Sequence, residues 1–304
     1  MEIELHIRKN KEFYPSLLEF IDTPENIDVE SLIEDFKKQE NFKCKEELVS
    51  ILHLLSKIAD NHRRLPNFLK KIEKLIHYLI QEIGSDISDF EIYKIFKNNK
   101  RVLLLLFEQK LIQLNKKIIS DILKTNDKND FPYSHYLYSE IKTYINKNKL
   151  KKIENEIKKN YDEDDLSKFE EKCRTGENDL YICSLIRQDS VEEFISFINR
   201  TNTSLSIQIP PSIFETNSFL MGKTPTLIEY ASFYGSIQII QYLRYSEVPL
   251  TNSMWLYSIY SNNAELIHFL EENVIKPFNY DIILEESITC HHNAIADYIK
   301  DNFL

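Results

Sequence analysis

The chain has 304 residues, only four of them glycine, and a formal net charge of −10. Four isolated glycines cannot form the phosphate loops G-x-x-x-x-G-K-[ST] or G-x-G-x-x-G, and the motifs G-x-S-x-G and H-E-x-x-H do not occur. The longest uninterrupted apolar run, Val102 to Phe107, has six residues, whereas a bilayer crossing needs roughly 18. The sequence therefore predicts neither these enzyme classes nor a transmembrane segment.

The charge is distributed unevenly between the two halves of the chain. Residues 1–160 contain 29 Lys or Arg against 26 Asp or Glu, whereas residues 161–304 contain 9 against 22. The two net charges are therefore +3 and −13, which sum to −10. An acidic C-terminal half disfavours a phosphate backbone as its ligand and favours a basic or neutral protein surface, although plain solubility explains the same excess.

The cysteines are widely spaced, and no C-x-x-C pair occurs. This spacing favours reduced thiols in a cytosolic protein over a disulfide or zinc framework. The first six residues lack a basic segment followed by an apolar core, so we expect no secretory signal and a cytoplasmic location. The cysteines are Cys44, Cys173, Cys183 and Cys290.

Residues 1–160 carry apolar side chains at helical spacing, which predicts an N-terminal helical region. A capping box at Ser31 and Glu34 and a first-turn proline, Pro66, indicate two helix starts. The stretch from Phe90 to Leu105 predicts a helix, a short turn and a buried helix, and it resembles a degenerate copy of the helix pairs found later in the chain. Residues 145–172 predict an exposed helical connector. We therefore expect a helical region at 1–160 and a repeat domain at 161–304.

Two features of this N-terminal region suggest a charged ligand, and each has a simpler interpretation. Asp127 to Asp130 resemble a calcium loop, but Phe131 and Pro132 stand where a ligand and a glycine are needed, so a surface loop is favoured. Basic residues between 63 and 117 could bind nucleic acid or an anionic membrane, but interspersed acids such as Glu73, Glu82, Asp86 and Glu91 favour a solvated helix face. The basic residues are Arg63, Arg64, Lys70, Lys71, Lys74, Lys94, Lys97, Lys100, Arg101, Lys116 and Lys117.

The C-terminal region repeats one pattern. The run from Thr224 to Leu243 recurs 27 residues later and again after a further 29, with a small residue at the same place each time: Ala231, Ser258 and Ser287. This spacing predicts three units of two short helices in residues 224–304, with the small residue buried at a helix contact. A capping box at Ser190 and Glu193 opens a further, degenerate unit.

The run T-P-x-L-x-E-Y-A-x-x-x-G-S-x-x-I-I-x-Y-L, starting at Thr224, resembles the ankyrin repeat, whose pattern is T-P-L-H-x-A-A-x-x-G-H. It differs by one inserted residue, Thr226, by Glu229 in place of histidine, and by period. The chain is more specifically similar to the large, divergent ankyrin-repeat families of trichomonad protists, whose C-terminal domain has no assigned function. This resemblance implies a binding scaffold. It involves Asp60 to Ile72, Phe90 to Leu106, Gly176 to Ile186, Ile209 to Leu220 and Leu227 to Leu243.

The segment 201–223 separates two predicted helices by more than twenty residues, longer than a compact domain usually tolerates. Its side chains are too apolar for a solvent-exposed loop without a structural or binding role. Either it folds back over the repeats, or it presents Phe214 and Phe219 as a binding finger.

The repeat register places two rows of side chains on the inner surface of the stack. These rows hold the aromatic residues Tyr230, Tyr257, Phe233 and Tyr260, bordered by Glu229 and Glu286. Exposed tyrosines are frequent binding anchors, so we expect these residues to bind a protein segment with apolar anchors flanked by Lys or Arg. The alternative is that the segment 201–223 covers the rows and makes them part of the core.

Cys290, His291 and His292 form the most metal-like cluster, but neighbours in sequence cannot all face one ion, so we expect no metal site. No catalytic set stands out, and we expect no cofactor. The sequence thus predicts an all-α helix-turn-helix solenoid acting as a non-catalytic scaffold for protein–protein interaction, with nucleic acid an unlikely ligand. Two alternatives stay open: a nucleic-acid or anionic-membrane binder that uses the basic N-terminal helices, and an enzyme whose site is assembled from distant residues.

Overall fold

A computed structural model describes residues 13–22, 32, 34, 45–62, 68–83, 87–161 and 165–304. Every regular element within these residues is an α-helix, and their only β pairings are the isolated bridges Asn126–Pro132 and Gln208–Thr226. The predicted all-α class is confirmed. Several residues singled out in the sequence lie outside the described part: Ser31, Cys44, Arg63, Arg64, Pro66 and Asp86.

Two compact units divide the chain. The first contains Met1–Asp60 and Arg64–Thr175, and the second contains Asn61–Arg63 and Gly176–Leu304. None of the helices in the described ranges has both the length and the apolar character that crossing a bilayer requires.

The described residues of the first unit form ten helices, most of them short. In chain order they are α1 (Phe13–Asp22), α2 (Lys45–Asn61), α3 (Phe68–Ile83), α4 (Asp89–Phe96), α5 (Lys100–Glu108), α6 (Lys116–Ile122), α7 (Tyr133–Tyr136), α8 (Tyr138–Ile141), α9 (Lys147–Tyr161) and α10 (Leu166–Thr175). The pairs that pack against each other include α1–α3, α4–α5, α4–α6, α5–α8, α5–α10, α7–α8 and α7–α9.

The apolar run Val102 to Phe107 lies in α5, and all six side chains are buried. At the start of this helix, the Lys100 ammonium forms an ion pair of 2.5 Å with Asp127, and both side chains are only 1% exposed. The other carboxylate oxygen of Asp127 accepts the backbone N–H groups of Asn129 and Phe131. Asp127 thus closes its own loop and neutralises a buried lysine, which explains the acidic residue in the calcium-like stretch.

The helix pair α4–α5 matches the helix, turn and buried helix predicted from Phe90 onward. Ser88 and Glu91 form a capping box at the start of α4, and Asn99 caps α5. The turn between them contains no residue of positive φ. It therefore differs from the turns of the second unit, described next.

Residues 176–304 of the second unit contain eight helices in four consecutive pairs. The pairs are α11 (Tyr181–Arg187) with α12 (Val191–Thr201), α13 (Leu227–Tyr234) with α14 (Ile237–Tyr245), α15 (Met254–Ser261) with α16 (Ala264–Glu272), and α17 (Tyr280–Thr289) with α18 (Asn293–Phe303). The first helices of the pairs pack in chain order, α11 on α13, α13 on α15 and α15 on α17.

Each pair turns at a residue in the left-handed region. These residues are Asp189 (φ 50°), Gly235 (φ 70°), Asn262 (φ 47°) and His291 (φ 62°). Glycine is favoured at 235, because the backbone has a positive φ there and an added Cβ atom would lie only 3.1 Å from the Cβ of Ser261. The common turn geometry supports one structural register for all four pairs.

The small residues of the repeat pattern are fully buried, as predicted. Ala231, Ser258 and Ser287 are each 0% exposed. The two serine hydroxyls donate to backbone carbonyls of their own helices, Ser258 to Trp255 and Ser287 to Ile283, each at 2.8 Å. These local bonds allow a polar residue to occupy a site too narrow for a larger side chain.

The capping box predicted at Ser190 and Glu193 does not form, because Ser190 begins α12 without a side-chain hydrogen bond. The neighbouring Asp189 forms the capping contacts instead, and it caps a different helix. Its carboxylate accepts the backbone N–H of Gln238 at 3.1 Å and of Ile239 at 3.0 Å, at the start of α14. The first and second pairs are therefore joined through this turn.

Candidate functional site

The two predicted aromatic rows lie in the interior of the second unit. Tyr230, Phe233, Tyr257 and Tyr260 are 1%, 4%, 7% and 3% exposed. Phe219 lies in residues 202–226, which link α12 to α13 and which we call the connector, and it packs on three of these rings. Its ring centroid is 4.3 Å from that of Tyr260, 5.0 Å from that of Tyr257 and 6.0 Å from that of Phe233. The rings form one cluster closed by the connector.

Backbone and side-chain hydrogen bonds hold the connector in place. The N–H of Ile209 donates to the carbonyl of Pro225 at 2.7 Å, and the Asn178 amide donates to the carbonyl of Pro210 at 3.1 Å. The Thr216 hydroxyl donates to the carbonyl of Gly176 at 2.7 Å. Phe214, the second aromatic residue of the connector, is buried as well.

The structure thus corrects the expected partner surface. Tyr230, Phe233, Tyr257, Tyr260, Phe214 and Phe219 are core side chains, so of the two alternatives for the segment 201–223 the structure has the covering one. The physical reason is the large apolar area of these rings, which the connector removes from water.

The two acids expected at the rim of this surface serve internal contacts. Glu229 completes a capping box with Thr226 at the start of α13, and its other oxygen accepts the Ser253 hydroxyl of the next pair at 2.5 Å. Glu286 accepts the hydroxyl of Tyr260. Both carboxylates link successive pairs.

An exposed apolar surface occurs on α17 instead. Ile282 is 47% exposed and Ile288 is 55% exposed. In the repeat register Ile288 corresponds to Ile259 of α15 and to Ser232 of α13, which are both 0% exposed. The position that earlier pairs bury is therefore open to solvent on the last pair.

On the second helices of the pairs, one repeat position likewise contacts the following pair and is exposed on the last pair. The Arg244 guanidinium of α14 lies 5.6 Å from the ring centroid of Phe269 in the next pair, and Glu271 of α16 accepts the hydroxyl of Tyr298 in the pair after that. Lys300 of α18 occupies the third equivalent position and is exposed. The outer side of the last pair, which we call the terminal face (Ile282, Glu285, Ile288 and Lys300), thus carries the side chains that join one pair to the next.

Acidic side chains accompany the isoleucines on α17. Ile282, Glu285 and Ile288 follow one another at three-residue spacing, which places them on one side of the helix. Glu285 and the neighbouring Asp281 are both exposed. The α17 side of the terminal face is therefore apolar and negatively charged.

The signal for the terminal face was present in the sequence but was not recognised there. The repeat alignment already places Ile288 at the position of Ile259. An isoleucine at a position that the preceding pair buries indicates a further apolar contact surface.

The cluster at Cys290 to His292 lies at the turn of the last pair. Cys290 is 0% exposed, and burial raises the pKa of its thiol well above the usual range. Burial, together with the nearby His62, lowers the pKa of His291 to about 4. Among the described side chains, no group of three His, Cys, Asp or Glu is placed to hold a metal ion.

The remaining described cysteines, Cys173 and Cys183, are also buried free thiols. Burial raises the pKa of Cys183 to about 12. A thiol of such high pKa is protonated at neutral pH and is a poor nucleophile.

Comparison with known proteins adds no relative: the chain matches no family model, no curated protein and no solved structure.

Proposed function

We propose that residues 176–304 form an ankyrin-like solenoid of helix pairs and that the chain is a non-catalytic scaffold for protein–protein interaction. The terminal face on α17 and α18 binds an amphipathic helix of a protein partner. One observation carries the proposal: Ile288 is 55% exposed, whereas the residue at the equivalent position of the preceding pair, Ile259, is fully buried.

Exposed apolar side chains at positions that join the pairs are unfavourable in water, and such a surface attracts other apolar surfaces. Here the outer side of α17 presents two isoleucines about half exposed. Fully burying an exposed isoleucine side chain contributes about 1.5–3 kcal/mol, so completing the burial of these two half-exposed side chains contributes about that amount in total.

The charges indicate the chemistry of the partner. Asp281 and Glu285 are exposed beside the isoleucines, which favours a partner helix with Lys or Arg next to its apolar anchors. Self-association through the α17 side alone would instead bring the exposed Asp281 and Glu285 of two copies into one contact. Like charges at such a contact oppose self-association, so a partner of different sequence is favoured.

A library of displayed helical peptides tests this proposal even though the natural partner is unidentified. Wild-type protein should enrich peptides with apolar residues at three- and four-residue spacing, flanked by Lys or Arg. Synthetic copies of these peptides should then bind at least tenfold more weakly to Ile288→Asp, because such anchors typically contribute about 2 kcal/mol.

Tyr245→Asp is the matched control. Tyr245 is 84% exposed on α14, and its replacement makes the same change from an apolar side chain to a charged one. Equal loss of binding in both variants, or enrichment of peptides without this pattern, would contradict the proposal. Sedimentation analysis of wild type and Ile288→Asp tests whether a second copy of the chain binds the terminal face instead. A wild-type dimer that the substitution dissociates would assign the terminal face to a second copy.

A further inference from the structure

A second candidate site lies in the first unit, between α4 and α6. Phe90 of α4 faces a cleft of about 370 Å³ whose other wall is one side of α6 and the residue two positions beyond its end. A cavity of this volume is within the range that accommodates a nucleotide-sized ligand. Its lining residues are Phe90, Lys116, Lys117, Ser120, Asp121 and Lys124.

The ring of Phe90 is partly exposed and held in position by its neighbours. It stacks on the buried Tyr93 with an interplanar angle of 16°. The ammonium groups of Lys94 and Lys117 lie 4.7 and 5.8 Å from its centroid. An aromatic ring flanked by cations is therefore fixed at the edge of the cleft.

The carboxylates near this cleft are engaged in other contacts. Asp121 forms an ion pair of 2.7 Å with Lys97 and accepts the Tyr93 hydroxyl at 2.9 Å. Glu91 accepts the backbone N–H of Ser88 and pairs with Lys45 at 3.1 Å, and these contacts lower the pKa of Glu91 to about 2.

This pairing changes the interpretation of the basic residues. The sequence favoured a solvated face because acids are interspersed among them. In the described part of the chain, however, no ion pair involves Lys94, Lys116, Lys117 or Lys124. Most of their positive charge is therefore available to a ligand.

We infer that this cleft binds single-stranded nucleic acid, with a base stacked on Phe90 and the backbone phosphates beside Lys94, Lys116, Lys117 and Lys124. Sites for single strands combine a positively charged groove with an aromatic platform, and both are present here. The aromatic ring beside the lysines favours a strand over a membrane surface, because a nucleic-acid base can stack on Phe90 whereas a lipid headgroup carries no aromatic ring to do so. This site is independent of the terminal face proposed above.

The test measures fluorescence anisotropy of a labelled 20-nucleotide oligo(U) with the full chain across a salt series. Four lysine contacts predict a slope of log K against log salt of about −3, since each phosphate contact to a single strand contributes about 0.7. Replacing Lys116, Lys117 and Lys124 by Ala should reduce the magnitude of the slope by about 2 and weaken binding.

A matched triple variant tests whether the position of the charge matters. Lys147→Ala, Lys151→Ala and Lys158→Ala remove the same charge from exposed positions of α9. This variant should retain the wild-type slope. An equal loss in both triple variants would show diffuse attraction and would overturn the assignment to the cleft.

Phe90→Leu separates stacking from charge. It keeps apolar bulk against Tyr93 but removes the aromatic face, so affinity should fall about tenfold while the salt slope stays constant. Thermal unfolding followed by circular dichroism verifies that the variant folds.

Two outcomes of these experiments would overturn the inference. Oligo(U) affinity unchanged by Phe90→Leu, with inorganic polyphosphate competing equally well, would show a site for bare anions. Binding to phosphatidylserine vesicles without binding to oligo(U) would assign the lysines to a membrane surface.

Discussion

In the first unit, a buried ion pair fixes the loop that follows α6, whereas in the second unit a long connector is fixed by aromatic stacking. Lys100 and Asp127 are each 1% exposed and neutralise one another. Phe219 instead closes a cluster of rings and carries no charge. The difference predicts unlike responses to substitution: removing one member of the ion pair leaves a buried charge, whereas removing the ring leaves a cavity.

The two units also differ in the regularity of their helix turns. The four pairs of the second unit turn at a residue of positive φ, while the pair α4–α5 of the first unit turns without one. Repetition makes equivalent positions comparable, and this is how the exposed Ile288 could be recognised as unusual.

The largest effect is expected from Lys100→Ala. The substitution leaves the carboxylate of Asp127 buried without its cation, which typically costs about 3–5 kcal/mol of the free energy of unfolding. Urea denaturation followed by far-ultraviolet circular dichroism measures the loss.

Lys97→Ala is the control for this experiment. Lys97 also pairs with an aspartate, but both partners are 35% exposed, so the cost should stay below about 1 kcal/mol. Equal losses for the two lysines would contradict the contrast between a buried and a half-exposed pair.

Phe219→Ala should have the next largest effect, about 3 kcal/mol, because it opens a cavity above Phe233, Tyr257 and Tyr260. The single tryptophan, Trp255, lies in α15, so its fluorescence reports unfolding of the second unit. Phe278→Ala makes the same change at a ring that is 84% exposed and should alter stability by no more than about 0.5 kcal/mol. If both variants unfold at the wild-type denaturant concentration, the connector does not stabilise the unit.

The smallest effect is a pH dependence at the turn of the last pair. The pKa of His291 is lowered to about 4 by burial and by His62, below the unfolded value of about 6.5. Between these two values the unfolded state binds more protons, so stability falls as the pH decreases through this window. Between pH 7 and 5 the loss should be about 1–2 kcal/mol.

His291→Asn should remove this part of the pH dependence. Asparagine occupies the equivalent turn position at 262 with φ 47°, so the left-handed conformation is retained. A His291→Asn profile as steep as the wild type between pH 7 and 5 would refute the assignment.

The local features of the second unit could be predicted because they depend on residues close in sequence. The positions of the turns follow from the spacing of Ala231, Ser258 and Ser287, and the burial of these small residues follows from the packing of short helices. The capping box at Ser190 failed although its residue types were suitable. There the adjacent Asp189 reached the next helix pair, and a local pattern does not contain that contact.

The sequence by itself determined the all-α class, the helix pairs of residues 224–304 and the small residues at their contacts, because apolar periodicity and turn chemistry act over a few residues. Only the tertiary structure decided that Phe219 covers the tyrosines and that Asp127 neutralises Lys100. Each of these outcomes depends on which distant side chain occupies the same space. The sequence contains several side chains of suitable size or charge for each of these contacts, and close packing selects among them.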